Sequence, residues 1–126
     1  MSVVLDAGAF IAFERGNRQV AGALRWVERS NEGSRSSAAA VVAQVLQAPA
    51  RQVALTRLLA GVDVRPLTQP DAAAIGQLLA QTRTNDVVDA HLAMLATDGD
   101  SVLTSDPNDL RTLLDARACR ARVVPI

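Results

Sequence analysis

The chain has 126 residues, 49% of them hydrophobic, and its thirteen Lys and Arg residues are balanced by thirteen Asp and Glu residues. This length and composition predict a single globular domain over residues 1–126 rather than a disordered chain. The formal net charge of zero excludes a strongly basic protein that coats polyanions, and no apolar run in the sequence is long enough to cross a membrane.

The sequence predicts a cytoplasmic protein. Cys119 is the only cysteine, which excludes an intrachain disulfide or a cysteine-based zinc site and fits a reducing compartment. The start of the chain has no basic segment before an apolar run, and Asp6 interrupts the first apolar residues. A secretory signal is therefore not expected.

Short strand-like segments alternate with segments that have helical spacing of apolar residues. Thr68 with Pro70 forms a cap and first-turn pair for one helix, and Thr84 or Asn85 is expected to cap the next. The predicted strands are residues 2–6, 35–38, 62–66, 101–105 and 121–125. The predicted helices are residues 7–14, 17–30, 40–46, 51–59, 68–81, 85–97 and 107–115.

Strands separated by helices predict parallel pairing with right-handed crossovers. The expected fold class is therefore α/β, a three-layer α/β/α sandwich with a mainly parallel central sheet of four to five strands. In the second predicted helix, Val20, Leu24 and Val27 are spaced for one buried face, and Trp26 is expected to pack near it.

Three aspartates come from distant segments that this fold can bring together. Asp6 ends the first predicted strand, Asp106 ends the fourth, and Asp89 lies on a predicted helix. In an open α/β sheet, ligands bind in the crevice beyond the carboxyl ends of the strands. Converging carboxylates without Cys or His favour Mg²⁺ or Mn²⁺ over zinc. The pattern indicates metal-dependent chemistry.

Each acid also has a simpler explanation. Asp6 and Asp106 each precede a predicted helix and would serve as N-caps. Asp86 and Asp89 are three residues apart, so they share a helical face and would be solvated charges on an isolated helix. The coincidence of two acids at strand ends with an acidic helix start favours a cation site.

Other catalytic interpretations fit less well. His91 lies two residues after Asp89, about 200° around a helix, so it points away from that acid and is expected in a packed or surface position. Ser105 has no nucleophile-elbow motif and is expected, with Thr104, to hydrogen-bond near Asp106. A phosphate-binding loop ending in Gly-Lys-Ser or Gly-Lys-Thr is excluded because the chain has no lysine.

Three segments resemble the PIN domain family and, within it, the VapC-like toxins of bacterial toxin–antitoxin pairs. They read VVLDAGAFIA at 3–12, DVVDAHLA at 86–93 and VLTSDPNDL at 102–110. The resemblance implies a Mg²⁺- or Mn²⁺-dependent endoribonuclease that hydrolyses RNA to 3′-hydroxyl and 5′-phosphate ends. It also implies a homodimer and a small cognate antitoxin that occupies the active-site groove.

The resemblance also implies roles for individual residues. Asp6, Asp89 and Asp106 would bind the metal, with Asp86 as an auxiliary ligand or water-positioner. Where the family usually has a glutamate on the helix after the second strand, this chain has Gln44. An amide cannot supply a fourth negative charge or accept a proton. A weaker metal site, loss of a second ion, or compensation by Asp86 or Asp109 would follow.

Substrate contacts are predicted at Arg15 and Arg18 for RNA phosphates and at Thr104 and Ser105 near the acids, although simple solvation also explains both arginines. Two functions remain open at this point. One is the toxin ribonuclease, and the other is a catalytically weakened PIN-like module that binds RNA or a protein.

Overall fold

The computed structural model describes residues 2–126. Five strands form one sheet in the order β3-β2-β1-β4-β5, and every neighbouring pair is parallel. The predicted parallel sheet is therefore confirmed, at the upper end of the predicted strand number. The strands are β1 (Val3–Leu5), β2 (Arg35–Ala38), β3 (Asp63–Arg65), β4 (Ser101–Thr104) and β5 (Arg122–Pro125).

Helices cover the sheet in two layers, which confirms the three-layer α/β/α sandwich. The helices are α1 (Ala7–Glu14), α2 (Arg18–Arg29), α3 (Ala39–Val45), α4 (Val53–Leu59), α5 (Gln69–Thr82), α6 (Val87–Leu95) and α7 (Pro107–Ala116). A short 3₁₀ helix covers Pro49–Arg51. Helix α1 contacts α2, α3 and α4 in one layer, whereas α5, α6 and α7 contact one another in the other. None of the helices in residues 2–126 is both long and apolar enough to cross a membrane.

The helix starts follow local capping chemistry. Thr68 caps α5, with Asp71 completing a reciprocal capping box. Helix α6, however, is capped by Asp86, so the prediction of Thr84 or Asn85 at this position was wrong. The carboxylate of Asp86 accepts the Asp89 backbone N–H at 3.0 Å, a bond that Thr84 and Asn85 lie too early in the chain to make with this helix start.

The end of α6 also differs from the prediction. The helix ends at Leu95, before the predicted residue 97. The Arg117 guanidinium donates hydrogen bonds to the carbonyl oxygens of Ala93 at 2.6 Å and Ala96 at 3.1 Å, which satisfies carbonyls left open by the end of the helix.

The core lies on both faces of the two central strands. Val4, Leu5, Val102 and Leu103 are fully or almost fully buried. On α2, the predicted face of Val20, Leu24 and Val27 is buried as expected.

Trp26 is 52% exposed, contrary to the expectation that it packs near that face. It follows Leu24 by two residues, about 200° around the helix, so its ring lies on the outer side of α2.

The strand order determines where a site can form. The chain runs from β1 through β2 to β3 in one direction, and β4 and β5 then extend the sheet on the other side of β1. The order therefore reverses between β1 and β4, and ligands of open α/β sheets bind in the crevice at such a reversal. Asp6 directly follows β1, and Asp106 follows β4 after one intervening residue.

Candidate functional site

A cleft of about 130 Å³ lies at the carboxyl ends of β1 and β4. We call it the acidic cleft, because no Arg is among its lining residues and four aspartates are. The structure thus brings together residues that are widely separated in the sequence and that were singled out there. The polar lining residues are Asp6, Gln44, Asp86, Asp89, Ser105 and Asp106.

Asp6 both caps a helix and faces this cleft, so its two interpretations are compatible. Its side chain is 4% exposed, and its Oδ1 accepts the Ala9 backbone N–H at 2.9 Å at the start of α1. Its Oδ2 accepts a short hydrogen bond from the Thr104 hydroxyl. Burial raises the pKa of Asp6, and the hydrogen bonds from Thr104 and Ala9 partly oppose that rise. Asp6 is therefore a carboxylate held in one orientation.

Thr104 links the two strand ends. Its side chain is completely buried, and its hydroxyl oxygen accepts the Asp106 backbone N–H at 2.9 Å. It does not line the acidic cleft, whereas its neighbour Ser105 does. The structure therefore places Thr104 behind the two acids.

Asp106 does not act as the helix cap that its sequence position suggested. The side chain makes no capping hydrogen bond to the start of α7, although Pro107 occupies the first turn. Its carboxylate is exposed and contributes to the lining of the acidic cleft. The capping interpretation of Asp106 is thus wrong, because the Asp106 N–H is anchored to Thr104 while the carboxylate faces the cleft.

Asp89 carries the strongest electrostatic signal of the site. Its pKa is raised to about 7, first by burial and then by the negative charges of Asp86, Asp106, Asp6 and Asp109. These negative charges are close enough to oppose the ionisation of Asp89. The cleft therefore has an excess of negative charge that a proton or a cation would relieve.

Gly8 shapes the mouth of the cleft, although no pattern in the sequence had assigned it a role of its own. A Cβ built on Gly8 would lie 2.3 Å from Ser105 Oγ, 2.7 Å from Ser105 Cβ and 3.2 Å from Asp6 Oδ1. Atoms do not approach so closely without displacement, so glycine is required for Ser105 to lie against α1.

Two larger clefts adjoin the acidic cleft. The first flanking cleft, of about 470 Å³, is lined by Arg15 and Asn17 and shares Gly8 and Ser105 with the acidic cleft. Arg18 does not line any of these clefts.

The second flanking cleft has a volume of about 390 Å³. It is lined by Arg83, Thr84 and Asn85 and shares Asp86 and Asp89 with the acidic cleft. Sequence reasoning missed Arg83, and the only signal for it was its place in the loop that leads into α6.

His91 is 3% exposed and does not line the acidic cleft. Burial lowers the pKa of His91, and the charge of Asp71 on α5 opposes that effect. Of the two positions expected for His91, packed or at the surface, the structure shows the packed one.

The family model described as the PIN domain matches residues 3–113, most of the chain. The chain belongs to the PIN domain family. Proteins of this family are generally nucleases. The matched range contains all the acids of the acidic cleft, from Asp6 to Asp106.

This PIN domain is also similar in fold to a chain in the crystal structure of VapBC2 from Rickettsia felis bound to a DNA fragment from their promoter. The TM-score is 0.71 at 12% sequence identity, over 100% of this chain and 99% of that chain. No curated protein matches the sequence.

The donor atoms of the acidic cleft suit a hard cation. Carboxylate oxygens and the amide of Gln44 line it, without Cys or His. Among residues 2–126, no group of three or more Asp, Glu, His or Cys side chains stands ready to hold one ion. Mg²⁺ is usually bound through one or two carboxylates and keeps several waters, so these two observations agree. The lining of this PIN domain therefore fits a hydrated divalent cation.

Gln44 lies where the resemblance leads one to expect a glutamate. It is on α3, it is exposed, and it lines the acidic cleft with the aspartates. This PIN domain thus has an uncharged group at one wall of an otherwise acidic site.

Proposed function

We propose that this PIN domain, residues 1–126, is a Mg²⁺- or Mn²⁺-dependent endoribonuclease that acts as the toxin of a toxin–antitoxin pair. The observation that carries the proposal is the convergence of Asp6, Asp89 and Asp106 on one cleft at the reversal of strand order, with the pKa of Asp89 raised to about 7. Such a concentration of carboxylates is typical of a site that binds a cation together with a phosphate.

Asp6, Asp89 and Asp106 would hold the ion, one or two of them directly and the rest through its bound waters, with Asp86 as an auxiliary ligand. When bound, the ion lowers the pKa of a water molecule and neutralises charge on the scissile phosphate. Because water rather than the 2′-hydroxyl attacks, the products would carry 3′-hydroxyl and 5′-phosphate ends.

The residues around the acids have supporting tasks. Thr104 keeps Asp6 oriented through its hydroxyl, and the same hydroxyl fixes the backbone of Asp106. Gln44 would direct its amide oxygen or N–H groups at water or phosphate, and Ser105 would donate a hydrogen bond to RNA at the cleft mouth. Arg15 would contact an RNA phosphate from the first flanking cleft, and Arg18 would contact an RNA phosphate from outside that cleft.

The proposed partners follow from the same family relationship. The similar chain belongs to a structure of VapBC2. A cognate antitoxin that covers the acidic cleft would restrain the nuclease of this chain, and the protein would form a homodimer. A cytoplasmic location agrees with the free, buried thiol of Cys119.

Gln44 supports a second candidate function. With a neutral amide in place of a carboxylate, the cleft would bind metal more weakly, and the protein would act as a catalytically weakened module that binds RNA or a protein.

The deciding experiment is cleavage of total cellular RNA by the purified protein with Mn²⁺ or Mg²⁺, compared with EDTA. Asp6→Asn is the site variant, and Asp115→Asn, an exposed acid on α7 paired with Arg111, is the matched control. The nuclease predicts cleavage by the wild type and by Asp115→Asn but not by Asp6→Asn or in EDTA. Absence of cleavage by folded, antitoxin-free protein would favour the binding module instead.

A further inference from the structure

The three clefts adjoin one another, and we call them together the groove. The acidic cleft shares Gly8 and Ser105 with the first flanking cleft and Asp86 and Asp89 with the second. The flanking clefts, of about 470 and 390 Å³, are in the size range of ligand sites, whereas the central one, of about 130 Å³, is much smaller. The groove therefore has room for an extended ligand that passes over the smaller acidic cleft at its centre.

The wall of the second flanking cleft contains an unusual backbone conformation. Arg83 ends α5 in the left-handed region, with φ 57° and ψ 39°. The turn is closed by the Arg83 N–H and the Thr84 N–H, which both donate to the carbonyl oxygen of Leu79. Glycine is the usual residue at such a helix end, because a side chain there is strained.

Within the described residues, the Arg83 side chain makes no hydrogen bond that could compensate for this conformation. Among residues 2–126 its guanidinium makes no ion pair, although three acids line the same cleft, and it is exposed. The two backbone bonds to Leu79 stabilise the turn, and they leave the guanidinium available to a ligand in this cleft. Thr84 and Asn85, in the same wall, add a hydroxyl and an amide.

We propose that Arg83 binds the RNA backbone phosphate next to the scissile one, on the side of the second flanking cleft. This inference rests on the proposed function and assigns a substrate-binding residue to it. A polyanion that approaches Asp86, Asp89 and Asp109 meets like charge, and a cation beside them lowers that barrier. The planar guanidinium suits a phosphate better than a point charge does.

Replacement by glycine separates substrate binding from stability. Arg83→Gly removes the guanidinium and also relieves the left-handed conformation, so the variant is expected to melt no lower than its parent. Ala118→Gly is the matched control, because Ala118 also has a positive φ of 55° and lies beyond the far end of α7. Arg83→Lys retains the positive charge, and Arg83→Asn is a second neutral variant that tolerates this backbone region.

The measurement is binding of a fluorescein-labelled single-stranded RNA of mixed sequence with Mg²⁺, in an Asp6→Asn background that does not cleave it. Loss of one phosphate contact lowers the slope of log K against log salt by about 0.7 for a single strand. We expect this reduction for Arg83→Gly and Arg83→Asn, with about tenfold weaker binding at low salt. Ala118→Gly and Arg83→Lys are expected to keep the parental slope.

Cleavage by the same variants with an intact Asp6 distinguishes failure of the Arg83 assignment from failure of the proposed ribonuclease function. Loss of a contact that binds substrate and transition state equally raises KM and leaves kcat nearly unchanged. An unchanged salt slope and KM in Arg83→Gly, with wild-type cleavage intact, would overturn the role of Arg83 alone. A wild type that neither binds nor cleaves RNA would overturn the proposed function and this inference together.

Discussion

The hydroxyl of Thr104 joins Asp6 to β4 across 98 residues of the chain: it donates to Asp6 Oδ2, and its oxygen accepts the Asp106 N–H at 2.9 Å. One buried side chain thereby fixes both acids that follow the central strands. In metal sites generally, loss of a group that hydrogen-bonds to a ligand lowers metal affinity or activity about 10- to 100-fold.

Thr104→Val tests this link, because valine keeps the shape of the side chain and removes its hydroxyl. Without the hydrogen bond the Asp6 carboxylate loses an interaction that holds its pKa down. We expect cleavage to fall about 10- to 100-fold and the free energy of unfolding to fall by about 1–3 kcal/mol. Cleavage rates and urea denaturation measure the two effects.

The control for that change is Thr112→Val on α7, where the exposed hydroxyl donates only to the Asn108 carbonyl oxygen at 3.0 Å. Its rate and stability should stay close to the wild type. Full activity in Thr104→Val would show that Asp6 needs no such support.

The raised pKa of Asp89 predicts how metal-free stability depends on pH. The pKa is 3.8 in the unfolded chain and about 7 in the folded protein, so the folded state binds more protons between these values. The free energy of unfolding therefore falls as pH rises from 3.8 to about 7, and the loss is complete above about 7. Discounted for the partial exposure of Asp89, it amounts to about 2 kcal/mol.

Asp89→Asn should remove that loss and raise the melting temperature at pH 8 in EDTA by a few degrees, about 5 °C. His91 acts in the opposite direction just below pH 6.5, because its lowered pKa makes the unfolded state bind more protons there. The quantity to compare is thus the difference between the two proteins in thermal melts from pH 5 to 8. A difference that does not grow with pH would contradict the raised pKa of Asp89.

Gly8→Ala should damage the cleft mouth. The new Cβ would meet Ser105 Oγ at 2.3 Å and Ser105 Cβ at 2.7 Å, so the segment after β4 must move. We expect about 1–3 kcal/mol of destabilisation and at least about tenfold slower cleavage, since a displacement of about 1 Å at a site has large effects. Thermal melts and cleavage assays check both.

Gly22→Ala makes the same change on α2, where no atom lies within 4 Å of the added Cβ. That variant should gain about 0.5–1 kcal/mol from the better helix propensity of alanine and should cleave normally. Equal stability and equal cleavage rates in Gly8→Ala and Gly22→Ala would mean that Ser105 can move aside at little energetic cost.

Gln44→Glu adds a carboxylate to the acidic cleft. Because affinity for hard cations grows with the number of charged ligands, Mn²⁺ should bind several-fold more tightly by calorimetry, and cleavage should quicken. Gln47→Glu is the neighbouring control: Gln47 is exposed and does not line the cleft. Unchanged Mn²⁺ affinity in Gln44→Glu would place the bound ion away from α3.

The ends of β1 and β4 were predictable from sequence because the hydrophobic pattern ends where a buried strand ends. Asp6 and Asp106 follow these two ends. Asp86 was not predictable as the cap of α6, because Thr84, Asn85 and Asp86 all have side chains that cap helices. The choice depends on the path by which the chain enters the helix. Pattern alone does not give that path.

The double contact of Thr104 depends on β1 and β4 being neighbours, and alternation of elements does not reveal strand order. Arg83 lacked a signal for a different reason: its left-handed backbone is the conformation for which a sequence normally shows glycine. The exposed ring of Trp26 shows that an aromatic residue beside an apolar stripe need not belong to it.

The place of β4 in the sheet determines when the acidic cleft can form during translation. Strand β1 pairs with β2 on one side, and its other side stays open until Ser101–Thr104 has been synthesised. Asp6 and Gln44 are made before Thr104 and Asp106. On the ribosome the acidic cleft would therefore stay incomplete until β4 has emerged and docked beside β1.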